Sequence, residues 1–293
     1  MKNILKINEA SIKSQISSNQ QIQILSKLST GSNFITIENL NTVMSMYPLT
    51  PQFKRIKLAV RPIHEYQNKS MYLGEWDETT NKKCGRGILL WNDGSKYEGY
   101  WFNDKANIKG KLLLSNGDIF EGEWVDDKAN GHGVYHKKNG DCYDGNWIND
   151  KQNGQGTETW PDGSSYKGCY KEGMKNGKGV FKWYDGSVFE GDFVRNNIEG
   201  RGVYKWKNGN EFNGEWKNNK MEGKGIFTWG DGRRYEGEFK NDKREGFGEH
   251  VWPDGRRYKG NWVNGLQEGN GSFFDPKTNK WKDGIWEKGK RVK

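Results

Sequence analysis

Residues 212–234 read FNGEWKNNKMEGKGIFTWGDGRR, and residues 235–257 read YEGEFKNDKREGFGEHVWPDGRR. The second stretch copies the first: aromatic, Gly and aromatic at alternate residues, a polar middle, a second aromatic-bearing run, then Asp-Gly. The opening aromatic recurs at Tyr72, Tyr97, Phe120, Tyr143, Tyr166, Phe189, Phe212, Tyr235 and Tyr258, first after 25 residues and then seven times after 23. The two extra residues of the first unit fall in DETTNKKCG (77–85). Numbered from that aromatic, positions 3 and 14 are Gly in all nine units; positions 12 and 21 are Gly in eight, with Ile108 and Thr278 the exceptions. These positions hold 34 of the 40 glycines. A fixed period of this length is the mark of a stacked repeat.

Each unit reads as two strands. In the first, positions 1, 3 and 5 put aromatic, Gly and aromatic on one face, and positions 2, 4 and 6 put Glu- and Lys-like residues on the other. Position 5 is aromatic throughout: Trp76, Trp101, Trp124, Trp147, Tyr170, Phe193, Trp216, Phe239 and Trp262. The second strand, as in GVFKW (179–183), puts Gly, an aromatic at position 16 and Trp at position 18 on one face. Position 18 supplies Trp160, Trp183, Trp206, Trp229 and Trp252. A polar stretch such as KNNKMEGKG (217–225) reads as a loop between the strands, and Asp-Gly or Asn-Gly at positions 20 and 21 as a type I′ hairpin turn. The expected fold is all-β: an elongated, single-layer antiparallel β-hairpin meander, two strands per 23-residue repeat. The Gly between aromatics lets large rings lie over the backbone, and stacking makes the core continuous. The rings at positions 5 and 18 together are read as an aromatic groove for partner segments.

Composition agrees with a single layer. Only 32% of residues are apolar and mean hydropathy is −1.06, yet 14% are aromatic. Six Pro and no Gly-X-Y period exclude collagen. No apolar run has the length of a membrane span, and MKNILKINEASIKSQ has no signal-peptide core. Cys84, Cys142 and Cys169 form neither a disulfide framework nor a zinc spacing, which points to a reducing compartment.

These residues closely resemble the MORN repeat (membrane occupation and recognition nexus), whose pattern is YEGEWKNGKxxGxGxxxWxDG. YEGEF (235–239) followed by KNDK, and WPDG at 160–163 and 252–255, match it almost letter for letter. The resemblance covers residues 72–275, and a terminal half unit follows with Trp281, Gly284 and Trp286. It implies an elongated, twisted antiparallel sheet of hairpins. Family members are mostly scaffolds, in ciliary radial spoke heads, basal cytoskeletal rings of protists and junctional membrane proteins. In others the repeats precede an enzyme, as in plant phosphatidylinositol phosphate kinases and a SET-type lysine methyltransferase.

Two domains are expected: a basic, polar extension over 1–71 and the array over 72–293. The extension has nine Lys and Arg against three Glu, so most of the net +9 is its own. Residues 53–61 read as a short strand capping the open edge of the first unit, and residues 2–28 as a weak amphipathic helix or as a segment that stays disordered until a partner orders it. Lys54, Arg55, Lys57 and Arg61 are either a contact for an acidic partner or the self-protecting charges of an edge strand. Lys137 at position 18 and Glu158 at position 16 interrupt the aromatic face, as a polar notch for a partner or as drift in a solvated groove.

No catalytic arrangement emerges. NGKG (176–179) and EGKG (222–225) lack the phosphate-loop pattern and recur as part of the repeat. His132 and His136 lack a third metal ligand, and Glu121/Glu123 and Glu236/Glu238 belong to the solvated face. The repeats' charge is too balanced for nucleic-acid binding. The expected function is therefore a non-enzymatic scaffold without metal or cofactor. Its partners would be proteins of a cytoskeletal complex, with the cilium or axoneme as the location, or a second copy of itself. The alternatives are a membrane or phosphoinositide adaptor, for which no amphipathic basic helix or lipidation signal speaks, and the regulatory subunit of a separate enzyme.

Overall fold

The structure, a computed structural model, describes residues 35–293; the segment 2–28 lies outside the described residues. Twenty-two strands follow one another in a single open antiparallel sheet. The chain falls into two compact units that divide after residue 151.

Each repeat contributes a seven-residue strand and a nine-residue one, as in Glu211–Lys217 and Lys220–Thr228, the last repeat's second strand having ten. The stretch expected as a loop is thus mostly strand. Asn218 and Asn219 turn the chain alone, with φ of 49° and 65°, and Lys217 stands opposite Lys220. Consecutive left-handed residues make the two-residue I′ turn, whose hand matches sheet twist. The same pair of left-handed angles recurs at Asn103/Asp104, Asp126/Asp127, Asn149/Asp150, Arg195/Asn196 and Asn241/Asp242. Asn and Asp enter this conformation more readily than other side chains, so no Gly is needed there.

The Asp-Gly pairs turn differently from expectation. At Trp229–Gly232 only Gly232 is left-handed (φ 89°). Its N–H donates to the Trp229 carbonyl (2.9 Å), and the Trp229 N–H donates to the Arg233 carbonyl (2.9 Å). This is a type I turn closed by a glycine bulge, the longer hairpin connection.

The glycines at positions 3 and 14 face each other across each hairpin, as Gly168 faces Gly179. The position 1 ring covers both. A Cβ on Gly179 would lie 2.6 Å from the Tyr166 ring, and one on Gly168 would lie 2.6 Å from the Gly179 Cα. Tyr166 Oη then donates to the Cys169 carbonyl (3.1 Å). Each I′ turn also grips the repeat before it. The Asp127 N–H donates to the Ala106 carbonyl (2.9 Å), and Asp127 Oδ1 accepts the Ala106 N–H (2.7 Å).

The first repeat has its own cover. Helix α1 (Ile37–Met46) begins at a capping box, in which Thr36 and Asn39 each accept the other's backbone N–H. A 3₁₀ turn at Pro51–Phe53 leads to β1 (Leu58–Val60) and β2 (His64–Glu65). Both pair with β3 (Met71–Asp77), the opening strand of the first repeat, which pairs in turn with β4 (Lys82–Leu90). The strand within 53–61 is therefore confined to 58–60. Leu40, Val43, Met44, Tyr47 and Phe53 pack on Leu73, Ile88 and Tyr100; Leu73 and Tyr100 take outer-face positions 2 and 4, where later repeats often carry charge, and Ile88 takes position 15, where Val or Ile recurs. Arg86 forks onto Glu75 (2.7 and 2.9 Å) and reaches the Met44 and Tyr47 carbonyls, joining the helix end to the sheet. Ile108, where other repeats have Gly at position 12, is left-handed (φ 61°) and packs against this cluster.

Gly179→Ala should cost about 1–3 kcal/mol by overpacking against Tyr166. Gly163→Asn should be neutral within about 0.5 kcal/mol, since Asn tolerates the left-handed turn and a Cβ there meets nothing within 4 Å. Asp127→Ala should cost about 2 kcal/mol by orphaning the buried Ala106 N–H, and Asp127→Asn should restore it. Urea unfolding midpoints measure all four.

Candidate functional site

The sequence assigns positions 5 and 18 to one groove, but the structure separates them by depth. All nine position 5 rings are buried, from Trp101 at 2% exposed to Trp147 at 9%. Each stands edge-on to position 1 rings; Tyr97 lies between Trp101 (5.0 Å) and Trp124 (5.2 Å), near 85° to both. Such pairs contribute about 0.5–1.5 kcal/mol each beyond burial. The indole N–H of Trp101, Trp124, Trp147, Trp216 and Trp262 donates to the position 14 glycine carbonyl of the preceding repeat at 2.9–3.2 Å. These rings fill the groove rather than line it. The glycines beneath them let them sink to the backbone.

Position 18 is different. Trp160, Trp183, Trp206, Trp229 and Trp252 are half-buried. They alternate with the position 16 rings Phe181, Tyr204, Phe227, His250 and Phe273. From Trp160 to Phe273, successive centroids are 4.3–6.2 Å apart, a ladder of ten rings inside the unit 152–293. None of these five indole N–H groups donates to another of the described residues. In the unit ending at 151, positions 16 and 18 hold Leu89, Trp91, Leu112, Leu114, Tyr135 and Lys137 instead. The position 16 rings were absent from the groove read from sequence, although their two-residue offset from position 18 places both on one strand face.

Cations sit on the ladder. Arg233 lies 5.1 Å over Trp229 and Arg256 5.6 Å over Trp252. Lys175 lies 4.9 Å over Trp160 and pairs with Glu158 (2.7 Å), which also accepts from Tyr170 Oη (3.0 Å). Lys137 pairs with Asp141 (3.0 Å). Both members of the suggested notch are thus engaged by other neighbours. Lys57 pairs with Glu78 (2.8 Å), and Arg61 donates to Asn81 and lies 5.0 Å over Trp76. Lys54 and Arg55 are exposed after the 3₁₀ turn. Two of the four basic residues, Lys57 and Arg61, thus have partners within the chain, and the other two face outward.

No group of three or more His, Cys, Asp or Glu among the described residues could hold a metal ion. No helix among them is long and apolar enough to cross a membrane.

Hairpins joined through paired glycines under a ring, in an open meander, define a class of β-repeat protein. Segments 79–96, 97–119, 120–142, 143–165, 166–188, 189–211, 212–233, 235–256 and 258–279 each match the MORN repeat, and the chain belongs to that family. No curated protein matches the chain. Among solved structures, it is similar to the TCP10 domain of Danio rerio CPAP in complex with a peptide of Danio rerio STIL. The two are 12% identical over 76% of this chain and 98% of that one, with a TM-score of 0.40. It is also similar to the SAS-4 (dCPAP) TCP domain of Drosophila melanogaster in complex with a proline rich motif of Ana2 (dSTIL). Here identity is 14% over 53% of this chain and 85% of that one, with a TM-score of 0.34. Neither score reaches that of a shared fold.

His250 makes the ladder sensitive to acid. It is 2% exposed, and burial pushes its pKa from 6.5 down to about 4, with the Arg244 charge (3.3 Å from Nδ1) adding to the effect. The ring is neutral when folded and takes up a proton more readily when unfolded. Its contribution is intact above pH 6.5 and is lost as pH falls toward 4. Stability should drop by about 2 kcal/mol between pH 7 and pH 5 from this group. His250→Phe should remove that component, read from urea unfolding at the two pH values.

Proposed function

We propose that this protein is a non-enzymatic scaffold that holds extended segments of partner proteins along the ladder from Trp160 to Phe273. The observation that carries the reading is the unbroken stack of ten rings, nine of them partly exposed and His250 buried among them, whose five indole N–H groups donate to no other described residue. Trp and Tyr supply contact area at low entropy cost, and their N–H and O–H groups orient a bound backbone. With two strands per repeat, one rung falls about every 10 Å across the strands. A segment lying across the strands meets one Trp per repeat, so affinity rises with the number of repeats it spans. Family resemblance to scaffolds of radial spoke heads and basal cytoskeletal rings supports a cytoskeletal assembly, with the cilium or axoneme as the finer assignment.

The test is a tagged full chain expressed in ciliated cells, beside a Trp183→Ala/Trp206→Ala variant. The wild type should fractionate with the axonemal cytoskeleton, and the variant should lose at least about tenfold of that association while keeping its fold by circular dichroism. A wild-type chain that stays soluble and solitary overturns the scaffold reading. A variant that fractionates like the wild type overturns the ladder as its site.

A further inference from the structure

The first repeat breaks the rule that every other position 5 Trp obeys. Trp76 is 7% exposed, and its indole N–H has no hydrogen-bond partner among the described residues. In later repeats this donor reaches the position 14 glycine carbonyl of the preceding repeat, as Trp101 reaches Gly87 at 3.2 Å. Before the first repeat, that place opposite β3 belongs to Arg61, whose N–H meets the Gly74 carbonyl at 3.4 Å. Pro62 follows and offers no N–H with which to continue the ladder. Pairing resumes only at His64, opposite Tyr72. The indole N–H is therefore directed at the break between β1 and β2.

A cleft of ≈ 650 Å³ opens at that break, lined by Arg61, His64, Tyr66, Trp76, Lys83 and Asp104 among others. Its volume suits a few side chains of a ligand. Lys83 rests 4.2 Å over Trp101 and 5.6 Å over both Tyr66 and Tyr72, and no described carboxylate forms an ion pair with it. The Arg61 guanidinium lies over Trp76. The one carboxylate in the lining, Asp104, is held by the Lys83 backbone N–H (2.8 Å). The cleft offers two cations and a buried donor; Arg61 already donates to Asn81 in the lining, whereas no described acceptor reaches the Trp76 indole N–H and none pairs with the Lys83 ammonium. Buried donors of this kind are costly when left unpaired, and hydrogen bonds to a charged acceptor are the strong ones.

We propose that this cleft receives a carboxylate of an acidic peptide segment from a partner protein, held by the Trp76 indole N–H, Arg61 and Lys83. The peptide supplies the acceptor that a preceding repeat would have supplied. The site is separate from the aromatic ladder, so it gives the scaffold a second and chemically distinct contact.

The probe is fluorescein-labelled hexaglutamate, titrated with the full chain and read by fluorescence anisotropy in about 0.15 M salt, where loose surface attraction is screened. Trp76→Phe removes the donor and keeps a ring that the fold accepts at position 5 in Phe193 and Phe239. It should weaken binding about tenfold, and Lys83→Met by a similar factor. Lys54→Met, an exposed charge outside the cleft, should leave binding unchanged. The indole ¹H–¹⁵N resonance missing from Trp76→Phe should shift on adding the peptide to the wild type. Absence of binding, a Trp76→Phe variant that binds like the wild type, or an equal loss in Lys54→Met overturns the proposal. Tripolyphosphate binding more tightly than hexaglutamate, with the same dependence on Trp76 and Lys83, overturns the carboxylate assignment.

Discussion

Each repeat depends on one contact, an aromatic ring lying on two facing glycines. The missing Cβ atoms of Gly168 and Gly179 let Tyr166 rest against backbone, and a methyl at either place would overlap existing atoms. Once that ring is down, the position 5 ring can stand against its edge. Where that ring is Trp, its indole N–H reaches the preceding repeat's glycine carbonyl. Side-chain stacking and backbone polarity are settled together, so a chain poor in aliphatic residues still has an ordered core.

Much of this was legible in the sequence, because a period of two assigns faces and a period of 23 assigns repeats. Depth was not legible. Alternation puts Trp216 and Trp229 on the same side but does not say that the first is buried and the second half-exposed. Turn type was misread because Asn218 and Asn219 achieve by side-chain chemistry what Gly was expected to provide. Asp231 stays out of the left-handed region because the adjacent Gly232 alone takes it. The cover on the first repeat had a signal in Leu73 and Tyr100, which stand at positions 2 and 4 where charge is common. Reading it required knowing that α1 comes back over that face. The unpaired donor of Trp76 was beyond any pattern, since it exists only by comparison with neighbours that have a partner.

The two units present different surfaces from one repeat grammar. In the unit ending at 151 the outer face of the first repeat is apolar and occupied, joined to α1 through Arg86 and Glu75. In residues 152–293 the stacked rings stay accessible on the other face, with guanidinium groups resting on them. Positions 2 and 4 carry the difference on the outer face and positions 16 and 18 that on the ring face, while positions 1, 3, 5 and 14 hardly vary. Framework and proposed recognition thus fall to separate residues, and the exposed ones can change without disturbing the ring on its glycines.

The grip of each turn on the repeat before it has an evolutionary consequence. The Asp127–Ala106 pair has counterparts at Asp150–Ala129, Asn196–Lys175, Asn219–Ile198 and Asp242–Met221, all at the same sequence distance. A tandem duplication of 23 residues, begun anywhere in the interior, re-creates every such link at the new junction. Array length can then grow or shrink by whole periods with no compensating substitution. The first repeat is excluded from this exchange, because its outer face and its edge are fitted to residues that occur once. Lineages of such a chain would diverge in interior repeat number while keeping the same beginning.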